Sequence, residues 1–280
     1  MTWLTDPFSA EFMVRALTGG VLVSSICAVV GTWVVVRGMA FLGEAMAHGM
    51  LPGVAAASLL GLPAIAGAAV SAAVMTVGVG LIGRRGRLSN DTSIGLMFVG
   101  MLALGVIIVS HSRSFATDLT AILFGDVLAI GAGDIHLLAF ALVVTIALAT
   151  LFHRPFVALA FDARVASIMG LRPRLAHGVL VGLVTLAVVA SYGAVGSLLV
   201  VGLLLAPAVA ASPWAGRIPS RMLLTAGFGA TSTVVGLLIS WHAATAAGAS
   251  IAATAIGLAA ASSALHHLVR PHRKVARARS

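Results

Sequence analysis

The chain has 280 residues, 60% of them hydrophobic and 9% charged, with a mean hydropathy of +1.11. A soluble domain carries about 25% charged residues, so the composition excludes a soluble globular protein and describes an integral membrane protein. The net charge of +9 does not point to nucleic acid, because residues 163–280 hold no Asp or Glu and their basic residues fall between apolar runs or in the tail, as loops retained in the cytoplasm do.

The 31 glycines and the abundant alanine fit helices in close approach within lipid, whereas a β-barrel requires short alternating segments. The single cysteine, Cys27, excludes an intrachain disulfide and a cysteine-based metal cluster. Asp6 and Glu11 precede the first apolar run without a basic n-region, so that run reads as the first span and not as a signal peptide.

Runs long enough to cross a bilayer, about 20 residues each, fall at 13–36, 39–60, 63–83, 92–110, 134–152, 174–192, 195–211, 221–241 and 248–268. The second carries the most informative residues of the chain. Its text from Arg37 to Gly53 places Glu44 and His48 four residues apart, one helical turn, on one face. Glu44 is the only acid well inside any span. An ionisable residue at that depth marks a functional site unless it is a structural hydrogen bond closing a helix interface. A carboxylate oxygen with an imidazole nitrogen suits Zn²⁺ or Mn²⁺. Pro52 has no N–H for the His48 carbonyl, so the expectation is a kink there and a carbonyl available as a further ligand.

Asp91, opening the fourth run, reads as a helix N-cap region. His111 ends that run, and residues 118–131, too short to cross, read as a re-entrant or interfacial segment. Asp118, Asp126, Asp134 and His136 lie in or near it, where they either attract a cation or cap helices. Residues 153–173 read as a short amphipathic helix beneath the membrane, either a plain connector or a docking element. His177 reads as a packed residue, Pro207 as a kink in the seventh run, and His242 as a loop residue or part of a metal entrance. The segment 1–269 forms one transmembrane domain, and 270–280 is a basic tail attracted to anionic lipid.

With nine spans and the N-terminus outside, Arg37, Arg84, Arg85, Arg87, Arg154, Arg164, Arg172, Arg174, Arg217, Arg221 and the basic tail share one side, leaving Arg15 and Arg113 on the other. That distribution puts the C-terminus in the cytoplasm. Eight spans with a re-entrant helix read almost the same.

These residues resemble the permease subunits of ABC importers for divalent metals (zinc, manganese, iron), the zinc type nearest. The resemblance rests on Arg37 to Gly53, on Asp91-Thr-x-Ile94-Gly95, on Phe161-Asp162 through Ala166 to Gly170, and on Val195-Gly196 to Pro207, and so covers nearly the whole chain. One departure is Glu44, where the family usually has Asp. The resemblance implies an all-α polytopic fold of eight or nine transmembrane helices with a cytoplasmic coupling helix at about 157–170. It implies a homodimer in the inner membrane, with cytoplasmic ATPases docking at Phe161, Asp162, Ala166 and Gly170 and an extracytoplasmic metal-binding protein opposite. Zn²⁺, or else Mn²⁺ or Fe²⁺, would pass by way of Glu44 and His48, with Asp126, His111 and His242 as weaker candidates. Lys274 is the only lysine and lacks a P-loop, so ATP hydrolysis belongs to another chain. Other readings are a proton-coupled secondary transporter, an ABC permease for a siderophore or vitamin, and an intramembrane enzyme, for which the residues offer little.

Overall fold

The computed structural model describes residues 6–85, 90–110, 125–168 and 170–269. After a short 3-10 turn at Asp6–Ser9 the chain forms α1 (Glu11–Val36), α2 (Ala40–Gly49), α3 (Leu51–Leu59), α4 (Ala64–Arg85), α5 (Asn90–Val109), α6 (Ala132–Leu151), α7 (His153–Phe161), α8 (Ala163–Ile168), α9 (Pro173–Ala211), α10 (Ile218–Ala243) and α11 (Ala247–Val269). The described residues include no strand. Lipid cannot satisfy backbone N–H and C=O groups, so apolar runs of this length close their hydrogen bonds within helices.

Seven helices are long and apolar enough to cross a membrane. Two further passages come from irregularities. α2 and α3 follow one another through Met50 and together make one crossing. α9 makes two. Its 39 residues would extend about 58 Å as a straight helix, nearly twice the hydrocarbon thickness. Thr185 reaches Met46 (Oγ1 to Sδ, 4.0 Å), while the Leu204 side chain packs on Gly43, less than a turn from Met46. Nineteen residues of straight helix would hold Thr185 and Leu204 about 28 Å apart, so the chain reverses between them. The reversal is at Gly196, the one residue of α9 with non-helical backbone (φ 73°, ψ 164°). The halves 173–195 and 197–211 match the two expected runs at 174–192 and 195–211. Pro207, expected to kink the helix, leaves its backbone helical; glycine makes the bend because only glycine readily enters that conformation.

Close contacts fix the relative directions of several passages. Ser24 meets Thr233 (3.2 Å) and Thr32 meets Thr225 (3.5 Å), so α10 runs antiparallel to α1. Cys27 Sγ approaches the Val200 carbonyl (3.9 Å) and Gly31 abuts Leu204, so the second half of α9 runs parallel to α1. Gly49 packs on Met75 and Gly53 on Gly67, setting α4 antiparallel to α2–α3. Those directions fit nine alternating crossings by the described residues. Arg37, Arg154, Arg172, Arg174, Arg217 and Arg221 lie at one end of the bundle, called here the basic end.

The core centres on α1 and α9. Trp33, Met13, Ile26, Leu180, Leu183 and Leu199 are fully buried, and close approaches at Gly31, Gly53 and Gly67 bring backbones together. The connector expected as one helix over 157–170 is two. Asp162 has extended backbone (φ −160°, ψ 131°) and separates α7 from α8, the Ala166 N–H bonding back to its carbonyl at 3.1 Å. Of the expected re-entrant segment 118–131, residues 125–131 are described: a 3-10 turn at Val127–Ala129, with Val127 and Ile130 buried against the bundle.

Candidate metal-translocation site

α2 has two unlike faces. Leu42, Ala45, Met46 and Ala47 are buried against the bundle. Phe41 and Glu44 are exposed and His48 is half-buried, one turn apart along the opposite face. Phe98 of α5 lies beside this strip, its ring centroid 5.7 Å from that of Phe41 and 5.9 Å from that of His48. The imidazole is thus held against an aromatic wall, a contact the sequence did not signal because Phe98 sits in another apolar run. Glu44 makes no hydrogen bond or ion pair with any described residue. Counting from Arg37 at the basic end, Glu44 lies about 10 Å along the helix and His48 about 16 Å, both within hydrocarbon depth. An isolated carboxylate facing lipid there would cost several kcal/mol, on the order of 3 even on the most lenient scale, so this face requires a cover of protein or water.

α2 ends at Gly49 and α3 begins at Leu51 with Pro52 in its first turn, where a missing N–H is harmless. The carbonyls at the break are occupied. That of His48 accepts the Met50 N–H, and that of Gly49 accepts the buried Ser71 hydroxyl at 2.9 Å. The expectation of a free His48 carbonyl is therefore corrected: the break relaxes onto local donors, and the side chains on this face that could hold a metal are the Glu44 carboxylate and the His48 imidazole.

The other residues singled out from the sequence lie apart. Asp126 is exposed and caps the 3-10 turn, its Oδ1 accepting the Leu128 N–H at 3.2 Å. Asp134 accepts the Gly131 N–H at 3.0 Å at the start of α6. His136 is exposed on α6, and His242 is exposed at the end of α10, away from the basic end. His111 and Asp118 lie outside the described residues. No three His, Cys, Asp or Glu residues cluster as a metal centre among the described residues.

At the basic end, Asp91, Arg37 and His177 line one cavity of about 260 Å³ together with Met39, Leu42 and Ile94. The Arg37 guanidinium donates from Nη1 to the Leu159 carbonyl at 2.8 Å, joining residues 122 apart in sequence; burial holds its pKa below the ordinary arginine value. On the connector, Phe161 and Ile168 are 84% and 86% exposed, Asp162 is exposed and Ala166 is buried. Gly170 takes a positive φ of 72° where the connector turns toward α9.

A helical membrane bundle with a broken second crossing, a paired carboxylate and imidazole on its open face and an apolar connector at its basic end defines a transport permease. Residues 9–266 match the ABC 3 transport family, and the chain belongs to it, as a multi-pass permease of the metal-importing ABC type and not an enzyme. It is 34% identical over 241 residues to the manganese transport system membrane protein MntC of Listeria monocytogenes, covering 86% of either chain. It is 31% identical over 240 residues to a probable iron transport system membrane protein of Haemophilus influenzae, covering 86% of this chain and 88% of that one. The solved structure of PsaBC from Streptococcus pneumoniae in complex with Fab superposes with a TM-score of 0.82 at 32% identity, covering 93% of this chain and 94% of that chain.

Proposed function

We propose that this permease passes a divalent first-row metal through a site built from Glu44 and His48 of two copies of the chain. The observation that carries the reading is the exposure of Glu44 on the open face of α2, with no partner among the described residues. A second copy covering that face would remove the carboxylate from lipid and bring two oxygens and two imidazole nitrogens to one metal. Manganese is the substrate the relatives' names support best. Zinc is the second reading, because two nitrogens and two oxygens are a set that tetrahedral Zn²⁺ accepts. Membership of an ABC family leaves no place for the proton-coupled alternative.

The basic end faces the cytoplasm on the positive-inside rule, which puts the C-terminus there. ATPase subunits dock on α7 and α8 through Phe161 and Ile168, and an extracytoplasmic binding protein delivers metal at the opposite end. ATP-driven rearrangement then opens the Glu44–His48 site to one side at a time.

The test is uptake of radioactive Mn²⁺ and Zn²⁺ into vesicles carrying the assembled transporter, with Glu44→Gln and His48→Ala beside the unaltered chain. ATP-dependent uptake lost in both variants supports the site. Uptake retained in both removes Glu44 and His48 from the path.

A further inference from the structure

Arg37 stands between the two working parts of the molecule. On one side it ends α1; Gly38 (φ 66°) and Met39 then turn the chain into α2, which carries Glu44 in its second turn. On the other side its guanidinium donates to the Leu159 carbonyl at 2.8 Å, in the last turn of α7. The last carbonyls of a helix lack intrahelical donors and carry partial negative charge, so a cation is well placed there. Leu159 is buried, and two residues later Phe161 projects 84% exposed. The start of α7 is held to the same region of α1, Trp33 packing edge-on against His153 (5.8 Å) and Phe156 (5.3 Å). α7 is thereby fastened at both ends to the final turns of α1. Asp91 shares the cavity with Arg37 but forms no ion pair with it, which leaves the guanidinium committed to α7.

We propose that Arg37 is the positioning residue that couples the cytoplasmic connector to the metal-binding helix, its bond to Leu159 carrying displacement of Phe161 to the α1–α2 corner and so to Glu44. This rests on the proposed function, because it assigns the mechanical link by which ATPase docking reaches that site. The arginine suits the task for two reasons. Its planar fork holds a carbonyl in fixed geometry, and it stays charged in a half-buried cavity at every physiological pH.

The test uses the complete transporter, permease with its ATPase and binding protein, reconstituted in vesicles, and reads the number of Mn²⁺ ions moved per ATP hydrolysed. Arg37→Gln and Arg37→Met are expected to lower that ratio at least about tenfold, within the usual range of a coupling free energy, while ATP hydrolysis continues and Mn²⁺ binding to the detergent-purified permease is unchanged. Arg37→Lys keeps a charged donor and is expected to recover part of the ratio. If either uncharged variant assembles and keeps the wild-type ratio, the assignment is overturned. Failure of both to assemble, with Arg37→Lys normal, makes Arg37 a folding residue and overturns it as well. Absence of ATP-driven Mn²⁺ and Zn²⁺ uptake by the unaltered transporter is a different result, which strikes the proposed function itself.

Discussion

Gly125 rests directly on Gly196, backbone against backbone. Both have positive φ (61° and 73°), and a Cβ on Gly125 would overlap the nitrogen and Cα of Gly196. The tip of the α9 hairpin is therefore capped by the segment leading into the 3-10 turn, and neither position tolerates a side chain. Gly196→Ala and Gly125→Ala are each expected to destabilise the permease by about 1–3 kcal/mol. Gly193→Ala, three residues away with open space at its Cβ, should be neutral. Thermal unfolding of the three variants in detergent checks the order.

The contact between α3 and α4 is equally tight. A Cβ on Gly53 would strike the Gly67 carbonyl, and one on Gly67 the Gly53 carbonyl. Each alanine substitution should cost about 1–3 kcal/mol by forcing the helices apart. One separation relieves both clashes, so the double variant should lose less than the sum. A double-mutant cycle measured by thermal unfolding tests this, and strict additivity would contradict it.

Replacing the imidazole of the proposed metal pair by an oxygen ligand should shift metal preference. His48→Asp exchanges a borderline nitrogen for a hard oxygen, and Zn²⁺ gains more than Mn²⁺ from nitrogen. Zn²⁺ uptake should fall by a larger factor than Mn²⁺ uptake, on the order of tenfold in the ratio. Competition uptake with both ions present measures it directly.

The connector variants should separate assembly from folding. Phe161 and Ile168 are almost fully exposed, so Phe161→Ala with Ile168→Ala should leave thermal stability within about 0.5 kcal/mol. Binding of the ATPase should weaken at least about tenfold, as loss of large apolar anchors usually requires. Co-purification and titration of the ATPase onto the permease give both numbers.

Hydropathy alone makes most of the architecture legible. The nine apolar runs match the nine crossings because a bilayer leaves a chain little alternative to helices of that length. The split between 174–192 and 195–211 is readable although one residue separates the passages, whereas the role of Gly196 in it is not, because a lone glycine in a glycine-rich membrane chain does not stand out. Glu44 and His48 stood out because a charge in an apolar run is conspicuous. The Phe98 wall and the Arg37–Leu159 bond left no trace in the sequence, since one partner in each pair is an ordinary apolar residue and the separation is long. The break at Asp162 escaped notice because apolar spacing continues on either side of it.

The interruption at Met50 has a geometric consequence for Glu44 and His48. α3 is clamped to α4 through Gly53 and Gly67, while α2 continues the crossing as a separate ten-residue rod. Glu44 lies about 9 Å from Met50 along the axis and His48 about 3 Å. A tilt of the rod about that point shifts the helix axis sideways at the level of Glu44 by roughly three times as much as at the level of His48. If the two side chains share an ion as proposed, such a tilt would displace the carboxylate further than the imidazole and so loosen the two ligands unequally.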